Sequence, residues 1–220
     1  NGWDFMGDDG EPDDLDGHGT HVAGTVAARG DEGYGVVGTA FGAQIMGLKF
    51  LEGRRGGSTY DAAAAIHYAV NQGADVINAS WAGPGYSTML RNAINYARSR
   101  GVVFVAAAGN EGNDNDRVSS YPANYDLGNV VSVAASDRND RLASFSNYGD
   151  QSVDVAAPGD EIVSTVPGAN WSYMNGTSMA APMVAGVAAL LKSAQAELSG
   201  DDVRAALMAS VDPIVGGSSR

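Results

Sequence analysis

The middle of the chain alternates short, mostly apolar runs with segments in which apolar residues recur every three or four positions. The runs Asp75–Ser80 and Val102–Ala108 are short and contain β-branched residues, which is typical of strands buried on both faces. The segments Thr59–Gln72 and Ser87–Arg100 have helical spacing, and each is followed by a glycine, the residue that best ends a helix. Strands that alternate with helices in this way predict a parallel sheet covered on both faces.

The flanking regions extend this pattern without changing it. Further strands are predicted at Gln44–Leu51, Val130–Ala135 and Asp154–Ala157, and further helices at His18–Arg29, at Thr177–Glu197 and from Ser199, with Asp202 as its capping-box partner. The segments 1–17 and 31–43 are rich in glycine or aspartate and are predicted to be loops. The chain of 220 residues is therefore predicted to form one α/β domain with three layers, a mostly parallel sheet and helices on both faces.

Composition narrows the function classes. The chain has 26 acidic and 13 basic residues and a net charge of −13, which argues against nucleic acid, whose phosphates attract lysine and arginine. There is no cysteine, which excludes a disulfide, a thiol nucleophile and a zinc–thiolate site. No stretch approaches the roughly 18 uninterrupted apolar residues of a membrane span, so no membrane span is expected. The acidic surplus indicates a solvated surface, with one cluster near residue 10 excepted.

Two histidines, three residues apart, open the first predicted helix. His18 and His21 have a spacing that metal ligands can have, but a hydrolytic zinc site needs a third ligand and usually a neighbouring glutamate, which nothing adjacent supplies. A second interpretation is one reactive imidazole, flanked by glycines that let a substrate approach closely. A third is a pair of buried, hydrogen-bonded histidines. The segment taken alone leaves these interpretations open.

A buried strand delivers an asparagine within the segment Val105–Gly112. Small side chains precede Asn110, and ligands of parallel sheets lie beyond the carboxyl ends of the strands. The Asn110 amide is therefore placed to donate a hydrogen bond into a channel. An asparagine in a plain turn is the competing interpretation, because turns are the commonest use of this residue.

A serine stands where the long apolar helix begins, within the segment Asn175–Pro182. The free N–H groups and partial positive charge of a helix N-terminus favour an oxyanion that develops close to Ser178. A helix cap is the competing interpretation, although a cap needs neither the glycine before it nor the proline after it. Together the three segments supply a nucleophile, a base and an oxyanion donor, which is the set required for acyl transfer.

These segments resemble the signatures of the subtilisin-like serine proteases, or subtilases. HGTHVAG, AAAGNEG and GTSMAAP occur here in that family's order, and the intervening AVNQGADVINAS, LASFSNYG and VDVAAPG are also similar to it. The resemblance covers nearly the whole chain and implies a subtilisin-like fold and a serine endopeptidase. It implies that His18 is the general base and Ser178 the nucleophile. Asn110 would hold the oxyanion together with the Ser178 N–H, and His21 would be structural.

The resemblance also implies where a polypeptide substrate binds. One segment would pair with the substrate backbone and form a wall of the specificity pocket, and another would form the facing wall; these are Ser80, Trp81, Ala82 and Gly83, and Ala107, Ala108 and Gly109. The family usually has glycine where Ala82 stands, so the methyl group would narrow the pocket or shift the backbone pairing. Small walls imply a preference for a large apolar or aromatic residue before the cleaved bond. A propeptide or protein inhibitor would be a further partner, and an extracellular location is the family habit.

The chain departs from the family pattern at both ends. The family's catalytic aspartate lies on an early strand in a D-[ST]-G motif, and no such motif precedes His18. Asp4, Asp9 and Asp14 belong to an acidic loop instead, and we expect that the chain, which ends soon after Val211–Pro213, lacks a final strand of the family. We therefore expect residues 1–220 to be a partial catalytic domain that lacks the early strand with its aspartate. We also expect poor folding and low activity in isolation, because loss of this aspartate costs ~3 × 10⁴ in turnover in subtilisin.

Carboxylates crowd the loop before the histidine. Charges this dense repel one another unless they are solvated or bind a cation, and calcium prefers carboxylates. Some calcium-dependent subtilases have a metal site in a similar loop, and by position Asp4, Asp9 and Asp13 match its ligands, although Gly7 stands where another acid would be expected. A second candidate is the loop 29–35, which resembles the family's tight calcium loop. We expect structural Ca²⁺ and no organic cofactor, with a solvated loop as the alternative to the first site.

Two other function classes compete with the peptidase. A non-catalytic, calcium-stabilised subtilase-like module for binding or structure would account for a missing aspartate, but it has no use for His18, Asn110 and Ser178 together. An esterase of the α/β-hydrolase type is not supported, because the Gly-x-Ser-x-Gly elbow is absent around Ser178 and the histidine of that fold follows the serine. A D-[ST]-G strand encoded upstream of residue 1 would favour the peptidase over the module.

Overall fold

The structure is a computed structural model that describes residues 2–30 and 33–214. These ranges contain five α-helices: α1 (His18–Ala27), α2 (Thr59–Asn71), α3 (Thr88–Ser99), α4 (Thr177–Ala194) and α5 (Gly200–Ala209). A short 3₁₀ helix covers Gly53–Arg55. All five helices lie where the sequence predicts them, although α4 ends at Ala194 and not at Glu197. The predicted capping box is confirmed at the start of α5, where Ser199 and Asp202 each accept the other's backbone N–H.

The strands form one parallel sheet and three small two-stranded pieces. In chain order they are β1 (Trp3–Asp4), β2 (Leu48–Lys49), β3 (Leu51–Glu52), β4 (Gly56–Gly57), β5 (Val76–Ala79), β6 (Val103–Ala107), β7 (Val130–Ser136), β8 (Val155–Pro158), β9 (Ile162–Val166) and β10 (Asn170–Met174). The central sheet has the order β5-β6-β7-β8, and all of its pairs are parallel. Strand β1 lies parallel to β2, whereas β3–β4 and β9–β10 are antiparallel.

Strand β6 lies between two hydrophobic cores, because its side chains point alternately to the two faces of the sheet. Val103, Val105 and Ala107 pack on one face with residues of α4 and α5. Phe104 and Ala106 pack on the other face with residues of α2 and α3. Because each of these five side chains is at most 1% exposed, both faces of the strand are covered, as a parallel sheet requires. The predicted three-layer α/β fold is therefore confirmed.

Helix α4 is the central helix of the first core. It is long and apolar enough to cross a membrane by length and composition, and it is the one helix in the described ranges that is. Half of it is buried inside the protein, including Met179, Ala181 and Ala188, which pack within the domain. This burial is the arrangement of a core helix.

Two predictions of local structure are wrong. The strand predicted at Gln44–Leu51 is reduced to β2 and the start of β3, because β1 offers a partner over only two residues and Ile45 is left 47% exposed. The segment 1–17, predicted as loop, contributes β1 to that pair. In addition, the β9–β10 hairpin was not predicted. It precedes the nucleophile motif, and its signal is the Pro167–Gly168 turn between β-branched and aromatic runs.

Candidate active site

His18 is the first residue of α1, and the loop before it caps the helix. Gly17 has a left-handed φ of 88°, which an L residue rarely adopts, and it offers no side chain as a cap. Asp14 supplies the missing acceptor, because its carboxylate accepts the Gly17 N–H at 2.8 Å and the Thr20 N–H at 2.6 Å. Burial acts to raise the pKa of Asp14, but the hydrogen bonds from Thr20 and Gly17 outweigh it and lower the pKa. Asp14 therefore fixes the position from which His18 projects.

The His18 imidazole is half-buried and biased toward its neutral form. Burial lowers its pKa below the ordinary value, and His21 acts in the same direction. Asp16 and Asp14 oppose this shift by attraction to the protonated ring. Within residues 2–30 and 33–214, no side chain is hydrogen-bonded to the ring, although the His18 backbone N–H donates to Asp16 at 2.8 Å. A neutral imidazole near pH 7 can accept a proton, as a general base must.

His21 is hydrogen-bonded to both strands of the β9–β10 hairpin. It is fully buried, and its Nε2 lies 3.0 Å from the Ile162 carbonyl oxygen and 3.1 Å from that of Ser172. Because carbonyl oxygens only accept, Nε2 carries the proton, and this ties α1 to both strands of the hairpin. No group of three or more His, Cys, Asp or Glu side chains placed to hold a metal occurs in the part of the chain that the structure describes. The interpretation of His18 and His21 as zinc ligands is therefore not supported.

Ser178 is the second residue of α4 and is bound to the end of β5 at two points. Its Oγ donates to the Ser80 carbonyl oxygen at 3.2 Å, and its own carbonyl oxygen accepts from the Ser80 Oγ at 2.7 Å. Pro182 stands four residues on inside the helix and has no N–H to give to the Ser178 carbonyl. The Ser80 hydroxyl replaces that missing helical hydrogen bond. Pro182 therefore leaves the Ser178 carbonyl oxygen free to accept the hydrogen bond from Ser80.

The Asn110 side chain is oriented by Thr177. Its Oδ1 accepts from the Thr177 backbone N–H at 2.8 Å and from the Thr177 Oγ1 at 3.0 Å. With the carbonyl side of the amide thus engaged, Nδ2 makes no hydrogen bond to any described residue and is free to donate. Gly176 has a φ of 152°, and a Cβ there would lie 3.5 Å from Ser178 N and 3.6 Å from Asn110 Nδ2. The glycine before the serine keeps this space open.

The segments predicted to bind substrate differ in whether their backbone N–H and C=O groups are already hydrogen-bonded within the protein. Among the described residues, the backbone of Ala82 makes no hydrogen bond, so both of its polar groups remain available to a strand-like substrate. Gly83 is already engaged with Tyr121 through two backbone hydrogen bonds, of 2.9 and 2.7 Å. The Trp81 ring packs edge-on against Phe50 with centroids 5.2 Å apart. The facing segment Ala107–Gly109 is buried, and Ser80 is bound to Ser178 as described.

The predicted calcium ligands form no group of three carboxylates placed to hold a metal among the described residues, although Asp4 and Asp9 pair through their backbones. Asp4 accepts the N–H groups of Met6 and Gly7, and its carboxylate lies 3.1 Å from the Lys49 Nζ. Burial acts to raise the Asp4 pKa, but the Gly7 N–H and the Lys49 ammonium lower it overall. Asp9 accepts the Glu11 N–H. The described arrangement therefore does not fit an ion shared by Asp4, Asp9 and Asp13, because Lys49 already supplies the positive charge.

The second calcium candidate cannot be followed in the same way. Residues 31 and 32 of the loop 29–35 lie outside the described residues. Calcium at either site stays a prediction.

The sequence motifs thus mark residues that the structure brings to two helix N-termini. Ser80, Asn110 and Ser178 share one hydrogen-bonded cluster, joined through Thr177. His18 begins α1, which packs against α4, but its ring forms no hydrogen bond to Ser178 among the described residues. Sequence reasoning missed Asp14 as the cap of α1 and Thr177 as the partner of Asn110.

Comparison with known proteins decides the family. The family model described as "Subtilase family" matches residues 1–218. The chain belongs to the subtilases. It is 50% identical over 192 residues to the "Thermophilic serine proteinase" of Bacillus sp. (strain AK1), which covers 87% of this chain and 46% of that protein. It is 45% identical over 215 residues to "Thermitase" of Thermoactinomyces vulgaris, which covers 98% of this chain and 74% of that protein.

A solved structure agrees with this assignment. The crystal structure of a cold-adapted subtilisin-like serine proteinase superposes on the subtilase chain with a TM-score of 0.87 at 32% identity, which covers 100% of this chain and 78% of that one. The chain spans about half the length of several curated relatives, including the proteinase of strain AK1 at 46%. The predicted family and fold are therefore confirmed.

Proposed function

We propose that the protein is a serine endopeptidase that hydrolyses peptide bonds through an acyl-enzyme on Ser178. The observation that carries this proposal is the fixed relation of Ser178 to Asn110. Thr177 holds the Asn110 Oδ1, so that Nδ2 is free to donate beside the N-terminus of α4, where the Ser178 N–H is also presented. A side-chain donor and a helix N–H beside one serine hydroxyl are what a tetrahedral oxyanion requires.

The chemistry assigned to these residues proceeds in two halves. His18 takes the Ser178 Oγ proton as Oγ forms a bond to the substrate carbonyl carbon, and the oxyanion is stabilised by Asn110 Nδ2 and the Ser178 N–H. Collapse of the intermediate breaks the C–N bond, and His18 gives its proton to the leaving amine. Water then attacks the acyl-enzyme by the same route in reverse. Before the first step, Ser178 Oγ must turn away from the Ser80 carbonyl that it now contacts.

The imidazole needs a further group to orient it. A carboxylate hydrogen-bonded to the second ring nitrogen fixes the tautomer and stabilises the imidazolium, and none of the described residues makes that bond to His18. We propose that this carboxylate is the aspartate of a strand outside the 220 residues, as the resemblance implies. The free edge of β5, which ends the central sheet in the described ranges, can accept such a strand.

The remaining assignments are proposals of the same kind. The free backbone of Ala82 supports extended polypeptides as substrates, and the small side chains of Ala107 and Ala108 favour a large apolar residue before the cleaved bond. A propeptide or protein inhibitor would bind along the same backbone. An extracellular location follows from the family resemblance.

The test separates the enzyme from a non-catalytic module. A fluorophosphonate probe and a chromogenic peptide are applied to the full gene product, to residues 1–220 alone, and to a Ser178→Ala variant of each. We expect the probe to label Ser178 of the full gene product, with peptide hydrolysis, and neither signal in the variant. Unlabelled Ser178 in a folded full gene product would rule out the peptidase and favour the calcium-stabilised module.

A further inference from the structure

Asn147 is a fully buried side chain next to the proposed oxyanion donor, and the chemistry assigned above does not use it. It lies between β7 and β8, and only 1% of its surface is exposed. Burying an amide is costly unless its donors and acceptors are all satisfied, and a site that satisfies them fixes the groups around it. The partners of Asn147 therefore show what it holds in place.

Every hydrogen bond of the Asn147 amide goes to the loop that carries Asn110 or to its continuation. The Oδ1 atom accepts the N–H of Glu111 at 2.9 Å and that of Asn113 at 3.0 Å. The Nδ2 group donates to the Ala108 carbonyl at 3.1 Å, to the Glu111 Oε2 at 3.0 Å and to the Asn115 Oδ1 at 3.0 Å. The Asn147 side chain is thus hydrogen-bonded to the backbone on both sides of Asn110.

Glu111 links Asn147 to Asn110 through hydrogen bonds. The Glu111 Oε2 accepts the Asn110 backbone N–H at 3.0 Å and also receives the Asn147 Nδ2. Gly109 lies so close that a Cβ on it would overlap Asn147 Nδ2 and Glu111 Oε2, and its φ of 115° is one that favours glycine. The Asn110 backbone is therefore held from one side by Glu111 and Asn147, while Thr177 holds its side chain from the other.

We propose that Asn147 is a positioning residue that holds the oxyanion donor Asn110 in place; this rests on the function proposed above. The site uses both the acceptor and the donor of an asparagine amide. The Oδ1 atom accepts two N–H groups, and the two N–H bonds of Nδ2 are shared among three oxygens, whereas aspartate has no donor when ionised and a serine hydroxyl has only one. An oxyanion hole works because its donors are already in place when charge develops, so loss of this support lowers turnover.

The kinetic test uses Asn147→Ala in the full gene product, alone and combined with Asn110→Ala. We expect kcat to fall about tenfold with little change in KM, which is less than the ~10²–10³ lost when such a donor is itself removed. On the Asn110→Ala background the same substitution leaves kcat within about twofold, because the side-chain donor that Asn147 positions is already absent. An equal loss on both backgrounds, or an unchanged kcat in the single variant, overturns the proposal.

Two further variants keep folding apart from positioning. Asn129 is a matched control, since it is fully buried at the other end of the sheet and donates to the Val102 carbonyl. Asn129→Ala is expected to lower the melting temperature and leave kcat unchanged. Glu111 is exposed, so its variants do not threaten the fold. Glu111→Ala is expected to lower kcat, and Glu111→Gln, which keeps an acceptor for the Asn110 N–H, to restore it; equal kcat for the two contradicts the proposal.

A nuclear magnetic resonance measurement separates failure of this proposal from failure of the proposed function. If the wild-type protein neither hydrolyses peptide nor labels at Ser178, the peptidase assignment fails, and the position of Asn110 is read from its side-chain amide resonances. Asn147→Ala is expected to move these resonances, and Asn129→Ala to leave them in place. Resonances that Asn147→Ala does not move overturn the positioning role whether or not the protein is active.

Discussion

The Asn110 side-chain oxygen accepts two hydrogen bonds from one residue, Thr177, at 2.8 Å from its N–H and 3.0 Å from its hydroxyl. The two residues stand 67 positions apart in the chain, on the loop after β6 and at the start of α4. The contact therefore joins the sheet to the nucleophile helix. It also determines which end of the Asn110 amide faces the space beside Ser178.

Thr177→Val removes the hydroxyl and keeps the shape of this fully buried side chain. We expect a drop in kcat of about tenfold, since one of the two bonds that orient Asn110 is lost. Stability should also fall by about 1–3 kcal/mol, because the Gly109 N–H loses its acceptor in the Thr177 hydroxyl. Thr177→Ser keeps the hydroxyl and serves as the control in peptide hydrolysis and urea unfolding. Loss of kcat in Thr177→Ser equal to that in Thr177→Val would speak against the orienting role.

Ser80 and Pro182 should be coupled through the Ser178 carbonyl oxygen. Ser80→Ala leaves that partly buried acceptor without its donor and is expected to cost about 1–3 kcal/mol of the free energy of unfolding. Pro182→Ala supplies a helical N–H to the same oxygen, so Ser80→Ala should cost clearly less on that background. Urea unfolding of the two single variants and the double variant measures the coupling. Additive costs would mean that the Ser80 hydroxyl does not replace the missing helical hydrogen bond.

The pH profile of peptide hydrolysis should reflect the environment of His18. Burial lowers the pKa of the ring, whereas the aspartate proposed to lie outside the 220 residues would raise it, so the acidic limb of kcat/KM is compared between variants of the full gene product and not with the free histidine value. Asp16→Asn removes an attraction that raises this pKa, so the limb should move to lower pH. Asp8→Asn is the matched control, as an exposed aspartate of the same loop that does not act on His18. A limb that moves to higher pH in Asp16→Asn would contradict the electrostatic assignment.

The lowered pKa of His18 also makes the stability of the fold depend on pH. His18 has a lower pKa when folded than when unfolded, so the unfolded chain binds more protons between the two pKa values. The contribution of His18 therefore stabilises the fold above the unfolded value of about 6.5 and is lost as the pH falls toward the folded value. Urea unfolding across this range, compared with His18→Gln, isolates that contribution. A His18→Gln variant whose stability falls by the same amount over this range would exclude it.

Calcium should not act through Asp9. Lys49 already neutralises the buried Asp4 carboxylate, and Asp9 is used by the Glu11 N–H. Any rise in melting temperature that calcium produces over a chelator should therefore be the same in the wild-type protein and in Asp9→Asn. If Asp9→Asn abolishes the rise, calcium binds in the acidic loop as the sequence predicts, and Asp4 must then leave Lys49.

The sequence was sufficient for the elements that contain long apolar runs. Strand β6 and helix α4 are recognisable because an apolar run has few other uses, and His18, Asn110 and Ser178 stand in short segments with a local pattern. Strand β2 was predicted too long, because the extent of a strand depends on its partner, and β1 pairs with only two of its residues. Thr177 and Asn147 escaped prediction, since their partners lie 67 and 36 residues away. Such contacts leave no periodicity in the sequence.

The bonds from His21 to the hairpin also bear on when the protein becomes complete during synthesis. Its partners, the carbonyls of Ile162 and Ser172, lie 141 and 151 residues further along the chain. Most of the domain must therefore leave the ribosome before α1 can bind the hairpin and before Ser178, which follows the hairpin, can take its place beside α1. Contacts of such long range form slowly. The nascent polypeptide consequently has no assembled active site while its own unfolded segments are most exposed to proteolysis.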